Sequence, residues 1–152
     1  MILHFICTGN IYRSRMAEAY CISKGVPGLS VLSSGTQTAL NGLVSIAPYA
    51  EETLRGHGLE CFASACWRQT TAALVRHSDI LVFMESEHYH YCIDWVDSSM
   101  QTVEIWNIPD IGSGVGPAQI GTVAERTFAV IVHQTDLLLA SIASPHYQAT
   151  AF

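Results

Sequence analysis

Apolar residues follow two rhythms along this chain, and the alternation between them lays out the elements. Ile2, Leu3, Phe5 and Ile6 make a short apolar run ending at Cys7, and Ile80 to Met84 is an unbroken one. Short runs without a helical period predict strands, and an uninterrupted run suits a central parallel strand covered on both faces. Ser30 to Ser33 and Thr102 to Trp106 read as two further strands. Between the strands the period changes. Met16, Ala19 and Tyr20 predict a helix over residues 14–24, stopped by Gly25 and Pro27. Pro48 to Arg55 is a second helix, with proline in its first turn and Gly56 and Gly58 past its end. Residues 68–77 and 86–93 are expected to form two more. The stripe Ile120, Ala124, Phe128, Ile131, Leu138 and Ile142 predicts a long helix over roughly residues 121–143, with a dispensable tail after Pro145. Strands alternate with helices, so the expected fold is α/β. It is a three-layer, doubly wound parallel sheet of four strands with helices on both faces, a single domain over residues 1–152.

Composition narrows the class. With 49% apolar and 13% charged residues the chain is a compact globule and not a disordered one. A net charge of −6 argues against nucleic acid or an anionic membrane as partner. Five cysteines without a C-x-x-C pair favour a reducing cytoplasm over a disulfide framework. No apolar run has the length of a membrane span, and the opening run lacks the basic flank of a signal peptide.

The chemistry concentrates in Cys7-Thr8-Gly9-Asn10-Ile11-Tyr12-Arg13-Ser14, placed between the first strand and the first helix. A loop that wraps into a helix N-terminus points several backbone N–H groups into one concavity, where the helix dipole adds positive character. The N–H groups of Thr8 to Arg13 therefore suit a tetrahedral oxyanion, and inorganic phosphate or sulfate is expected there. Arg13 can grip two anion oxygens at once. The same field favours a nucleophilic thiolate at Cys7. Gly9 and Asn10 tolerate the left-handed backbone that such a turn needs. Ser14 is either an N-cap or a hydroxyl donor to the Cys7 sulfur. His88 and His90 stand two apart and share no helical face, so both are read as solvated, and neither a metal nor another cofactor is expected.

This loop, followed by Met16-Ala17-Glu18-Ala19, resembles the low-molecular-weight protein tyrosine phosphatase family, whose superfamily includes the thioredoxin-coupled arsenate reductases. Ser33-Ser34-Gly35-Thr36, Arg68-Gln69, Val82-Phe83-Met84-Glu85 and Ile108-Pro109-Asp110 extend the resemblance through most of the chain. It implies the strand order 2-1-3-4, a hydrogen bond from Ser33 to Asn10 that supports the loop, and metal-independent hydrolysis of phosphomonoesters. Cys7 is the implied nucleophile, forming a thiophosphate intermediate, with Arg13 stabilising it and Asp110 as general acid. The implied substrate is a phosphorylated protein or small aryl phosphate, and the implied state a monomer or weak dimer.

Several residues depart from the family pattern. Arg15 stands where proline is common and is expected to add positive charge at the mouth. Tyr12 replaces a second loop cysteine, which leaves Cys7 without a neighbour for a reversible disulfide. Ile111 replaces a proline after the acid, which is expected to loosen that loop. Gln37-Thr38-Ala39-Leu40 and Ile111-Gly112 lack the aromatic walls of phosphotyrosine-specific members. Two alternatives follow. One is an arsenate reductase, with an internal relay that looks incomplete because only Cys92 lies after the third strand. The other is a catalytically weak module that binds phosphorylated partners.

Overall fold

A computed structural model describes residues 1–144, so the tail after Pro145 lies outside the described residues. Four strands, β1 (Ile2–Cys7), β2 (Ser30–Gly35), β3 (Ile80–Phe83) and β4 (Thr102–Ile105), form one parallel sheet in the order β2-β1-β3-β4. Helices α1 (Arg13–Ser23), α2 (Pro48–Gly56) and α5 (Pro117–Ile142) cover one face, and α3 (Ala72–Arg76) and α4 (Ser86–Cys92) the other. The four-stranded, three-layer fold expected from the alternating pattern is the one observed.

Side chains alternate along β1. Leu3 and Phe5 enter the larger core with Met16, Leu54 and Ile131, while Ile6 joins Val75, Leu81, Phe83 and Cys92 in the smaller one. His4 is fully buried between Ser78 Oγ at 3.1 Å and Ser34 Oγ at 2.6 Å. Burial, with a smaller effect from Arg68, pushes its pKa down to about 3, so it sits in the core as neutral imidazole.

Four expectations need correcting. The helix expected over residues 68–77 shrinks to Ala72–Arg76, because residues 68–70 extend the edge of the sheet. Gly35 N–H donates to Arg68 O at 2.9 Å, and Thr70 N–H to Gly35 O at 2.8 Å. Thr71 then caps the shortened helix by accepting from Leu74 N–H. His88, read as solvated, is 1% exposed. Arg15, expected at the mouth, is likewise 1% exposed, and so turns inward beneath the loop. The long helix begins at Pro117, a turn earlier than its apolar stripe suggested.

Candidate active site

The C-terminal end of β1 turns directly into the segment 8–12 and then α1, and this turn is built so that its carbonyls face away from the centre. Cys7 O accepts from Thr36 N–H at 3.0 Å, Thr8 O from Gln37 N–H at 2.8 Å, and Ile11 O from Ala47 N–H at 2.8 Å. Gly9 O accepts from Asn41 Nδ2 at 2.7 Å and Asn10 O from Arg15 Nη1 at 3.4 Å. Tyr12 O accepts from Met16 N–H at 3.0 Å, the first helical bond of α1. In a trans peptide the N–H points opposite to the carbonyl, and the described residues contain no cis bond. Outward carbonyls from Cys7 to Tyr12 therefore turn the N–H groups of Thr8 to Arg13 toward the centre. Asn10 makes the turn possible at φ 57°, and its own N–H lies 3.3 Å from Cys7 Sγ.

The floor of the turn is a polar chain. Asn10 Nδ2 donates to Ser33 Oγ at 2.7 Å and to Ser14 Oγ at 2.9 Å, and Asn10 Oδ1 accepts from Arg68 N–H at 2.8 Å. Ser33 Oγ donates to Glu18 Oε2 at 2.9 Å. Ser14 Oγ lies 3.0 Å from Cys7 Sγ and no side chain caps α1, so of its two possible roles it takes the one at the sulfur. Because Ser14 already accepts from Asn10, its own proton is free to donate to a thiolate.

Arg15 braces this floor from below. Besides Asn10 O it reaches Ser45 O at 3.3 Å and Ser64 O, and its Nε lies 3.9 Å from Glu18 Oε2. Burial lowers its pKa, an effect that Glu18 opposes. A buried guanidinium with a buried carboxylate is a structural pair and adds nothing to the surface of the mouth.

Arg13 is 1% exposed and gathers four acceptors. Nη1 donates to Glu85 Oε2 at 2.5 Å and Ile108 O at 2.9 Å, and Nη2 to Thr8 Oγ1 at 3.2 Å and Asp110 Oδ2 at 3.0 Å. Burial pulls its pKa down, but Cys7, Asp110 and Glu85 more than reverse this and hold it charged. Asp110 is half exposed at the rim. Its Oδ1 accepts from Ile111 N–H at 2.9 Å, a bond that a proline at 111 would forbid. The departure expected to loosen this loop thus also supplies an anchor for the Asp110 carboxylate.

A cavity of about 180 Å³ opens above Cys7, lined by Ile11, Tyr12, Leu40, Tyr49 and Asp110 among others. Tyr12 is buried and meets Tyr49 edge-on, with ring centroids 5.0 Å apart. Residues 37–40 and 111–112 are non-aromatic, as the sequence has it, yet the cavity has an aromatic wall because α2 delivers Tyr49. Glu85, His88, Tyr49 and Asn41 were not singled out as site residues from sequence. A detectable signal for Glu85 was its place just past the C-terminal end of a central strand. Glu85, Glu87 and His88 have ligand atoms within 4.8 Å of one another, but Glu85 holds Arg13 and His88 holds Thr8, so a metal there would have to displace both.

The family model described as low molecular weight phosphotyrosine protein phosphatase matches residues 2–108. The chain belongs to that family. Asp110 lies just beyond the matched residues. Curated relatives include the probable low molecular weight protein-tyrosine-phosphatase EpsP of Ralstonia nicotianae, 36% identical over 80 residues, which cover 53% of this chain and 52% of that protein. The low molecular weight protein-tyrosine-phosphatase Etp of Escherichia coli K12 is 36% identical over 85 residues, 55% of this chain and 53% of Etp. The match thus spans about half the length of these relatives. Among solved structures, Vibrio vulnificus Wzb in complex with benzylphosphonate superposes with a TM-score of 0.75 at 17% identity, covering 92% of this chain and 97% of Wzb. The drosophila arginine phosphatase DARP gives 0.76 at 19% identity, covering 95% and 99%. Both share the fold of this chain.

Proposed function

We propose that this protein is a metal-independent phosphomonoester hydrolase that works through Cys7. The observation that carries the reading is the loop in which each carbonyl from Cys7 to Tyr12 is bonded outward, so that its N–H groups surround a sulfur already contacted by Ser14 and Asn10. Family membership supports it.

In this reading the substrate phosphate enters the loop, accepts from Arg13 Nε, which has no partner among the described residues, and takes over the Arg13 Nη2 donor now given to Asp110. The Cys7 thiolate attacks phosphorus in line. The P–S bond forms as the P–O bond to the leaving group breaks, and protonated Asp110 gives its proton to the departing oxygen. The inward N–H groups and Arg13 hold the equatorial oxygens, where charge accumulates. Water then attacks phosphorus, Asp110 takes its proton, and the P–S bond breaks to return the thiolate. Tyr49 and Tyr12 favour an aryl phosphate or phosphorylated protein side chain as substrate, in keeping with a relative that binds benzylphosphonate. Five free cysteines are in keeping with a reducing cytoplasm as its setting, and among the described residues no helix is long and apolar enough to cross a membrane. The arsenate reductase alternative with an internal relay loses ground, since Cys92 is buried in the smaller core while Cys7 belongs to the larger one on the other face of the sheet.

The purified protein is expected to hydrolyse para-nitrophenyl phosphate in the presence of a chelator. Cys7→Ser should abolish that activity, and Asp110→Asn should slow phenyl phosphate more than para-nitrophenyl phosphate, whose leaving group needs less protonation. Full activity in the Cys7→Ser protein would sink the proposal.

A further inference from the structure

His88 has both ring nitrogens engaged, and their partners decide which one carries the proton. Nδ1 lies 3.0 Å from the backbone nitrogen of Glu85, a group that can only donate, so Nδ1 accepts and the proton sits on Nε2. That N–H donates to Thr8 Oγ1 at 2.9 Å. Burial, and then the nearby Arg13 charge, push the His88 pKa down to about 4, which keeps the ring neutral near pH 7. The ring is held in place by the first turn of α4, where the Glu85 carboxylate in return accepts from the His88 backbone N–H.

The Thr8 oxygen has a second donor, Arg13 Nη2 at 3.2 Å. A hydroxyl oxygen accepts two hydrogen bonds, so with both positions filled the Thr8 proton leaves in a third direction. Thr8 lines the cavity together with Cys7 and Arg13. The reaction derived above draws on the Thr8 backbone N–H alone and assigns nothing to either side chain.

Taking the loop as a phosphate cradle, as that reading requires, we propose that His88 is a positioning residue. It fixes the Thr8 hydroxyl so that the oxygen steadies Arg13 and the proton is donated to an oxygen of the bound phosphate. A side-chain donor is thereby added to the ring of backbone N–H groups, and a histidine read from sequence as solvated becomes part of the machinery.

Two amide substitutions separate this role from plain helix capping. An asparagine amide reaches only as far as Nδ1, so His88→Asn keeps an acceptor for Glu85 N–H and loses the donor to Thr8. Glutamine reaches to Nε2, so His88→Gln keeps a donor for Thr8 and loses the cap. We expect His88→Asn and Thr8→Val each to weaken binding of inorganic phosphate, measured by calorimetry, and to lower kcat/KM about tenfold, the scale of one hydrogen bond to a charged group. His88→Gln should retain more phosphate affinity than His88→Asn, Thr8→Ser more than Thr8→Val, and the His88→Asn/Thr8→Val double variant should be no worse than Thr8→Val. The proposal is overturned if His88→Asn binds phosphate like the parent while His88→Gln does not, or if the His88→Asn and Thr8→Val losses multiply. Failure of the phosphatase reading itself would look different, as parent protein that neither binds phosphate nor loses activity on Cys7→Ser.

Discussion

The guanidinium of Arg13 meets four acceptors from three parts of the chain, namely the loop, the end of β3, and two points on the segment after β4. An ammonium carries the same charge but cannot span them, because its three donors radiate from one point. Arg13→Lys should therefore lower kcat by roughly 10²–10³-fold, the loss typical of removing one well-placed transition-state donor. Steady-state kinetics on para-nitrophenyl phosphate measure this, and a loss under threefold would show that charge alone suffices. At this scale the loop residues Cys7, Asn10, Arg13 and Ser14 were legible in the sequence, because their roles depend on neighbours a few residues away. Glu85 and Tyr49 were not, since their approach depends on which elements lie side by side. Arg15 was misread for another reason. A charged residue in a first helical turn is normally solvated, and only the carbonyls of Ser45 and Ser64, supplied by distant segments, draw it inward.

Among the elements, β2 has the least freedom at its last residue. A Cβ on Gly35 would lie 2.6 Å from Thr8 O and 2.7 Å from Asn10 N, both backbone atoms that cannot swing aside. Gly35→Ala should push the loop off its seat, costing about 1–3 kcal/mol of stability through overpacking and lowering kcat about 100-fold through misplacement. Urea denaturation and kinetics on the same variant check both, and an unchanged kcat would refute the idea that β2 seats the loop. The same contact explains why the helix expected over residues 68–77 failed to form in full. Gly35 draws residues 68–70 into pairing with the strand, a tertiary demand that outweighs local helix propensity. The long α5 was legible from its stripe, although its start was not. Gly121 interrupts the pattern near the start, while Pro117 marks the true first turn.

For the whole molecule, strand order and layering followed from alternating elements together with family resemblance. The pattern could not disclose that two histidines, His4 and His88, would be enclosed uncharged in different parts of the fold. Both have native pKa values, about 3 and about 4, below the unfolded value of 6.5. Above pH 6.5 neither state takes up a proton at these sites, so stability is unaffected by them. As pH falls below 6.5 the unfolded chain binds protons that the native state refuses, so stability drops by up to about 1.4 kcal/mol per pH unit for each histidine. The His88 contribution is complete near pH 4 and that of His4 near pH 3. Chemical denaturation from pH 7 to pH 4.5 should follow this slope, and His4→Gln should flatten it.

The inward turn of Arg13 and Arg15 also changes what an approaching molecule meets. These two of the seven cations are enclosed, whereas among the thirteen carboxylates Glu18 alone is buried. The field at a distance still follows the net charge of −6, and enclosure only moves these two positive charges away from the surface that an approaching ion meets. A phosphate dianion diffuses against that field and feels the sunken guanidinium only at short range, inside a Debye length of about 8 Å at physiological ionic strength. On the proposed function, encounter with a phosphate dianion is then slowed by repulsion. Values of kcat/KM for para-nitrophenyl phosphate should rise as sodium chloride is raised from low to physiological concentration, while a fall would mean that the enclosed cations still steer.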